Sequence, residues 1–139
     1  MVVFYAVLGM LCWGVAPLFG KLGLSGVNPV AVLCLRTIIA GTLVASWTLS
    51  TRSFTDIIQI PAGLWLFIAI EAVLATLLGD LAYFIALKHG NVNVVSLVMS
   101  CAPVVTILCS YLFMEEPVTS LQIAGAALIS IGLALVCWD

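Results

Sequence analysis

Residues 61–87 read PAGLWLFIAIEAVLATLLGDLAYFIAL, an apolar run in which Glu71 and Asp80 are the only charged residues. At 27 residues it exceeds the roughly 20 that a helix needs to cross the hydrocarbon core of a bilayer, and it is far too long for a strand. Pro61 opens it, and Lys88-His89-Gly90-Asn91 closes it with a basic last turn and glycine beyond, as helix ends favour. Gly79, beside Asp80, is expected to break this long helix.

The rest of the chain repeats the pattern. Upstream, Val2–Gly20 is apolar and ends at Lys21 and a turn carrying Gly23 and Gly26. Asn28-Pro29 then supplies a cap residue with proline at the first helical position, and Val30–Leu49 follows. Ser50–Ile60 is the longest polar link, with Arg52 and Asp56. Downstream, Val92–Met114 contains Pro103, which leaves the Met99 carbonyl without its helical donor. Glu115-Glu116-Pro117 is a polar turn, Thr119 with Gln122 has the spacing of a capping box, and Leu121–Cys137 is the last run. The expected fold is an all-α integral membrane protein: one transmembrane domain, 1–139, with five helices at about 2–20, 30–49, 61–87, 92–114 and 119–137.

Composition agrees. Of 139 residues, 65% are hydrophobic and 7% charged, with a mean hydropathy of +1.35. Soluble domains carry about 25% charged residues, and disordered chains need low hydrophobicity, so both classes are excluded. A net charge of −2 with no basic patch argues against nucleic acid. Cys12, Cys34, Cys101, Cys109 and Cys137 sit in apolar runs at spacings that fit no zinc or redox motif, and are read as small packing residues. No basic stretch precedes Val2, so the first run is expected to be retained as a helix rather than cleaved as a signal. There is no Ser-His-Asp set, His cluster or phosphate-binding loop, and His89 is read as interfacial. No enzyme, metal or cofactor is expected.

Five helices put the termini on opposite faces of the membrane. One face then holds only Arg52, and the other holds Lys21 and Lys88. Lys/Arg bias sets orientation. Two against one is a weak bias, and insertion both ways round is expected.

Three ionisable residues lie within the runs: Arg36, Glu71 and Asp80. Each costs about 2.5–3.5 kcal/mol at a helix centre, so each should face a partner or a wet cavity. At 1.5 Å per residue, Arg36 and Asp80 both lie on the order of 5 Å from the midplane, toward the Lys21/Lys88 face. They are level and able to pair as a structural ion pair. Glu71 lies on the other side with no base at its level. A carboxyl so placed has the chemistry of a proton-coupling or cation-binding site. A second solution exists: an antiparallel partner would carry Arg36 to the level of Glu71.

Weaker features surround these. Trp13, Pro17 and Lys21 recur every four residues on the first helix, and Tyr83 is one turn from Asp80. Ser96, Ser100 and Pro103 cluster on the fourth helix. Polar groups among aromatics suit a cavity lining, whereas small hydroxyl residues also serve plain helix packing. On the fifth helix Gly125, Leu128, Ile129 and Gly132 share one face, and Ala126, Ser130 and Ala134 form a second small-residue stripe. Both allow close helix–helix contact, within the chain or with a dimer partner.

Trp13-Gly14-x-x-Pro17-x-x-x-Lys21, Asn28-Pro29 and Arg36 resemble the start of an EamA-type module of the drug/metabolite transporter superfamily. Ala86-Leu87-Lys88, Ser96-Leu97, Pro103, Glu116 and Gly125-x-x-Leu128-Ile129-x-x-Gly132 continue the resemblance over nearly the whole chain. It implies half of an inverted-repeat transporter, because most members look like two five-helix modules of opposite orientation around a central cavity. A single module then implies an antiparallel homodimer, and the last helix is similar to the dimerising helix of small multidrug resistance proteins. Glu71 and Asp80 depart from the family pattern.

The expected function is secondary transport of a small organic solute (an amino acid, metabolite or drug-like cation) by alternating access in the inner cell membrane. Proton coupling would run through Glu71 or Asp80, with Arg36, Trp13, Tyr83 and Ser100 also lining the site. Two other functions fit the same residues: a lipid-linked sugar flippase component, and a non-transporting membrane subunit that assembles with a larger partner.

Overall fold

The computed structural model describes residues 1–51 and 54–138, except for the side chain of Cys137. Arg52, the lone base expected on its face of the membrane, lies outside the described residues. The architecture is all-helical. Its elements are α1 (Val2–Gly23), α2 (Pro29–Ser50), α3 (Phe54–Ile58), α4 (Ala62–Ala72), a π-helical segment (Val73–Gly79), α5 (Asp80–His89), α6 (Val92–Met99), α7 (Ala102–Met114) and α8 (Ser120–Trp138). Among the described residues, four helical stretches are long and apolar enough to cross a membrane: Val2–Gly23, Pro29–Ser50, Ala62–His89 and Val92–Met114. The apolar stretch Ser120–Val136 is shorter than these four.

The helix starts follow from their capping residues. Asn28 Oδ1 accepts from the Val30 N–H at 2.9 Å, with Pro29 opening α2. Asn91 Oδ1 does the same for the Asn93 N–H ahead of α6. At α8 the Thr119 N–H donates to Gln122 Oε1 at 2.8 Å and the Gln122 N–H donates to Thr119 Oγ1 at 3.3 Å. That is a reciprocal capping box. The α7 helix stops at Glu115, whose left-handed φ of 54° turns the chain, and Pro117 prevents its return to a helix. The fourth run is interrupted at Ser100-Cys101, because Pro103 has no N–H for the Met99 carbonyl.

Two local features differ from the sequence expectation. The polar link holds the short helix α3, whose Phe54, Ile57 and Ile58 have apolar i, i+3, i+4 spacing. The break expected at Gly79 is instead a π-helical widening that ends there. The helix stays continuous from Ala62 to His89, and the Asp80 N–H reaches back five residues to the Ala75 carbonyl. Glycine is required at this point. A Cβ on Gly79 would stand 2.9 Å from the Leu74 carbonyl oxygen, a backbone atom that cannot swing aside. Gly79→Ala is therefore expected to destabilise the protein by about 1–3 kcal/mol. Its thermal unfolding midpoint in detergent should fall well below that of Leu78→Ala, a control at an exposed neighbour. Equal midpoints would mean that the widening tolerates a side chain.

The chain forms two compact units. One comprises residues 1–18 with the described residues from 90 on, and in it α8 packs against α6 and α7. The other is Phe19–His89, in which α2 packs against α5. The buried hydrophobic residues among those described, Leu24, Leu33, Phe84 and Leu87, all belong to the second unit. Gly20 permits the close approach there, since a Cβ would meet Leu87 at 3.2 Å and Phe84 at 3.5 Å. The remaining apolar side chains are largely exposed. Outward-facing apolar residues cost nothing when the solvent is hydrocarbon.

Candidate functional site

The second unit brings together two of the three intramembrane charges. Arg36 Nη1 on α2 lies 2.6 Å from Asp80 Oδ2 at the start of α5. The same guanidinium stands over the Phe84 ring, 5.5 Å from its centroid, within cation–π reach. Phe84 lies one turn beyond Asp80 on the same helix face, so one stripe of α5 supplies both the anion and the aromatic platform. Of the two pairings open to Arg36 in the sequence, the one within the chain is formed.

Lys21 fastens the other end of α5. Its Nζ donates to the Leu87 carbonyl at 2.5 Å and to the Lys88 carbonyl at 3.2 Å. The last carbonyls of a helix have no donors within it, and a cation there is also favoured by the helix dipole. In this way α5 is tied to α2 by an ion pair at its first turn and to α1 by an ammonium at its last.

Glu71 stands apart from this network. It is exposed on α4 and makes no hydrogen bond or ion pair among the described residues. Tyr83 is half-buried, with its ring tilted against Phe84 at 5.6 Å. An open groove of about 490 Å³ runs between α2 and the α4/π segment. Its walls include Cys34 and Thr37 on one side and Ala72 and Thr76 on the other. The volume is within the range of small-molecule sites, although most of the lining is apolar.

Trp13 and Ser100 belong to the first unit. Trp13 is exposed, and Ser100 Oγ donates to the Leu97 carbonyl of its own helix at 2.6 Å. Gly125 and Gly132 have open space where a Cβ would sit, and Leu128 and Ile129 are exposed, so the packing of the described residues leaves this face of α8 uncovered. Phe84 and the groove were missed by sequence reasoning. Their signals were the i, i+4 relation of Phe84 to Asp80 and the small residues at i, i+3 (Cys34, Thr37) and i, i+4 (Ala72, Thr76).

Comparison with known proteins finds relatives over most of the chain. A relative from Sinorhizobium sp., described as an uncharacterized transporter in the cobO 3′ region, is 29% identical over 133 residues, covering 96% of this chain and 94% of its own. The uncharacterized transporter YyaM of Bacillus subtilis is 26% identical over 90% of this chain. The riboflavin transporter ImpX of Fusobacterium nucleatum is 26% identical over 93% of it. This chain spans only 41% and 43% of the lengths of those two proteins. No solved structure matches. These three relatives are named as transporters, and the four long apolar helices make this a multi-pass membrane protein. With the family's pattern matched over residues 1–138, the chain belongs to the EamA-like transporter family.

Proposed function

We propose that the protein is a secondary transporter of a small organic solute, working by alternating access as an antiparallel homodimer in the inner cell membrane and coupled to protons through Glu71. In this reading α8 is the fifth spanning helix, the termini lie on opposite faces, and each chain is one half of an inverted-repeat assembly. The observation that carries it is the set of charges inside the spanning helices: the Arg36–Asp80 pair and Glu71, which has no partner among the described residues. Ionisable groups at membrane depth are expensive and mark solute or proton paths. The face of Gly125, Leu128, Ile129 and Gly132 on α8, with open space at both glycines, supports a helix–helix contact with a second copy.

The test is a ligand-induced thermal-shift screen at several pH values, followed by uptake into liposomes under an imposed pH gradient. Amino acids, cationic drugs and riboflavin, the solute named for the Fusobacterium relative, are the first probes. The expected result is a pH-dependent shift for at least one solute, and uptake of that solute that follows the gradient. Solute uptake indifferent to the gradient would overturn the coupling, and no uptake of any solute that shifts the protein would overturn transport.

A further inference from the structure

Arg36 is only partly used within its own chain. A guanidinium carries five N–H donors. Nη1 goes to Asp80, Phe84 covers one face, and the other nitrogens donate no hydrogen bond among the described residues. The Arg36 side chain is still 51% exposed, against 25% for Asp80. Glu71 presents the complementary deficit: a carboxyl on the outer surface of a spanning helix, without a partner among the described residues.

The two cannot meet within one chain. With 1.5 Å of rise per residue, Arg36 lies about 5 Å from the middle of α2 toward the Lys21 end, and Glu71 about 7 Å from the middle of Ala62–His89 toward the opposite face. A two-fold axis in the membrane plane reverses the partner and brings the partner's Glu71 to within about 2 Å of the level of Arg36. Because such an interface is isologous, the contact forms twice. We infer that Arg36 is a shared cation, bound by Asp80 of its own chain and by the partner's Glu71 across the interface. This rests on the antiparallel dimer proposed above and deepens it by naming the residues that fix its register.

The test is a pair of charge variants that should reject themselves and accept each other. In a Glu71→Lys homodimer, the introduced ammonium would face the partner's Arg36. In an Arg36→Glu/Asp80→Arg homodimer, the ion pair within the chain is reversed, and the introduced carboxylate would face the partner's Glu71. Mixed together, the two variants restore opposite charges at both contacts. With the two chains tagged differently and co-expressed, the heterodimer should exceed either homodimer about tenfold. If wild-type chains form no dimer in the same assay, the dimer itself fails. If the wild type dimerises and the variants pair with themselves as readily as with each other, the shared cation fails while the dimer stands.

A second measurement does not depend on the charge variants folding. Ala40 and Ala75, each about one turn beyond Arg36 and Glu71, become level in the antiparallel arrangement. Ala40→Cys and Ala75→Cys are placed on separate, differently tagged chains whose native cysteines are replaced by serine. A disulfide or short bis-maleimide link should join the two tags. A dimer of normal stability without that link would overturn the pairing.

Discussion

Asp80→Ala is expected to cut the yield of folded protein severalfold, and Arg36→Ala to do the same. Removing one member of a buried ion pair typically costs about 3–5 kcal/mol, because the other charge is stranded. Half of the Arg36 side chain is exposed, but at this depth the surroundings are hydrocarbon and offer the stranded charge no hydration. Snorkelling of the long side chain toward the interface relieves part of the cost, which leaves about 2.5–3.5 kcal/mol on insertion scales. Asp80 has too short a stem to snorkel, so Arg36→Ala should lower the yield as well.

The double variant Arg36→Ala/Asp80→Ala removes both charges and should give more folded protein than either single change. The exchange Arg36→Asp/Asp80→Arg should recover part of the loss. Monodispersity on size-exclusion chromatography after detergent extraction reads all four. Single variants with wild-type yield would show that the pair is not structural. A double variant as poor as the worse single would show that the damage comes from lost packing on Phe84 rather than from a stranded charge.

This pair was legible in the sequence because depth along a spanning helix is a matter of counting. Arg36 and Asp80 lie level on antiparallel runs, and the structure joins them at 2.6 Å. The caps were legible for a similar reason: Asn28 with Pro29, and Thr119 with Gln122, satisfy helix ends through contacts two or three residues away. Pro103 likewise marked the interruption at Ser100-Cys101, since a missing N–H is a covalent fact.

The π-helical segment was not legible. The choice between one extra residue per turn and a clean break depends on whether the backbone from Val73 to Gly79 can find i→i+5 partners, and no side chain announces that. Gly79 reads in the sequence as a helix break, and the room it leaves for the Leu74 carbonyl follows only from the widened turn. The groove and the platform under Arg36 depend on how α2 lies against α4 and α5, which sequence spacing on each helix leaves undetermined. Tyr83 stands out in the sequence because it is one turn from Asp80, while its apolar neighbour Phe84 makes the contact with the guanidinium.

Glu71→Gln is expected to abolish proton-driven accumulation of solute while leaving a folded protein that binds it. The two side chains have the same length, and the amide keeps a carbonyl oxygen that a guanidinium can use, so the register of the dimer should survive. The amide cannot take up and release a proton. Within its apolar runs each chain holds one base, Arg36, and two acids, Asp80 and Glu71. One guanidinium neutralises only one carboxylate, which leaves one negative charge per chain for the coupled proton of the proposed transporter. In Glu71→Gln that charge is gone and the proton has no site, while the solute site is untouched. Liposomes loaded at one pH and diluted into another should then show background accumulation, whereas solute-for-solute counterflow, which needs no net proton movement, should persist. Accumulation at the wild-type rate would remove Glu71 from the coupling step. Loss of counterflow as well would place it in solute binding instead.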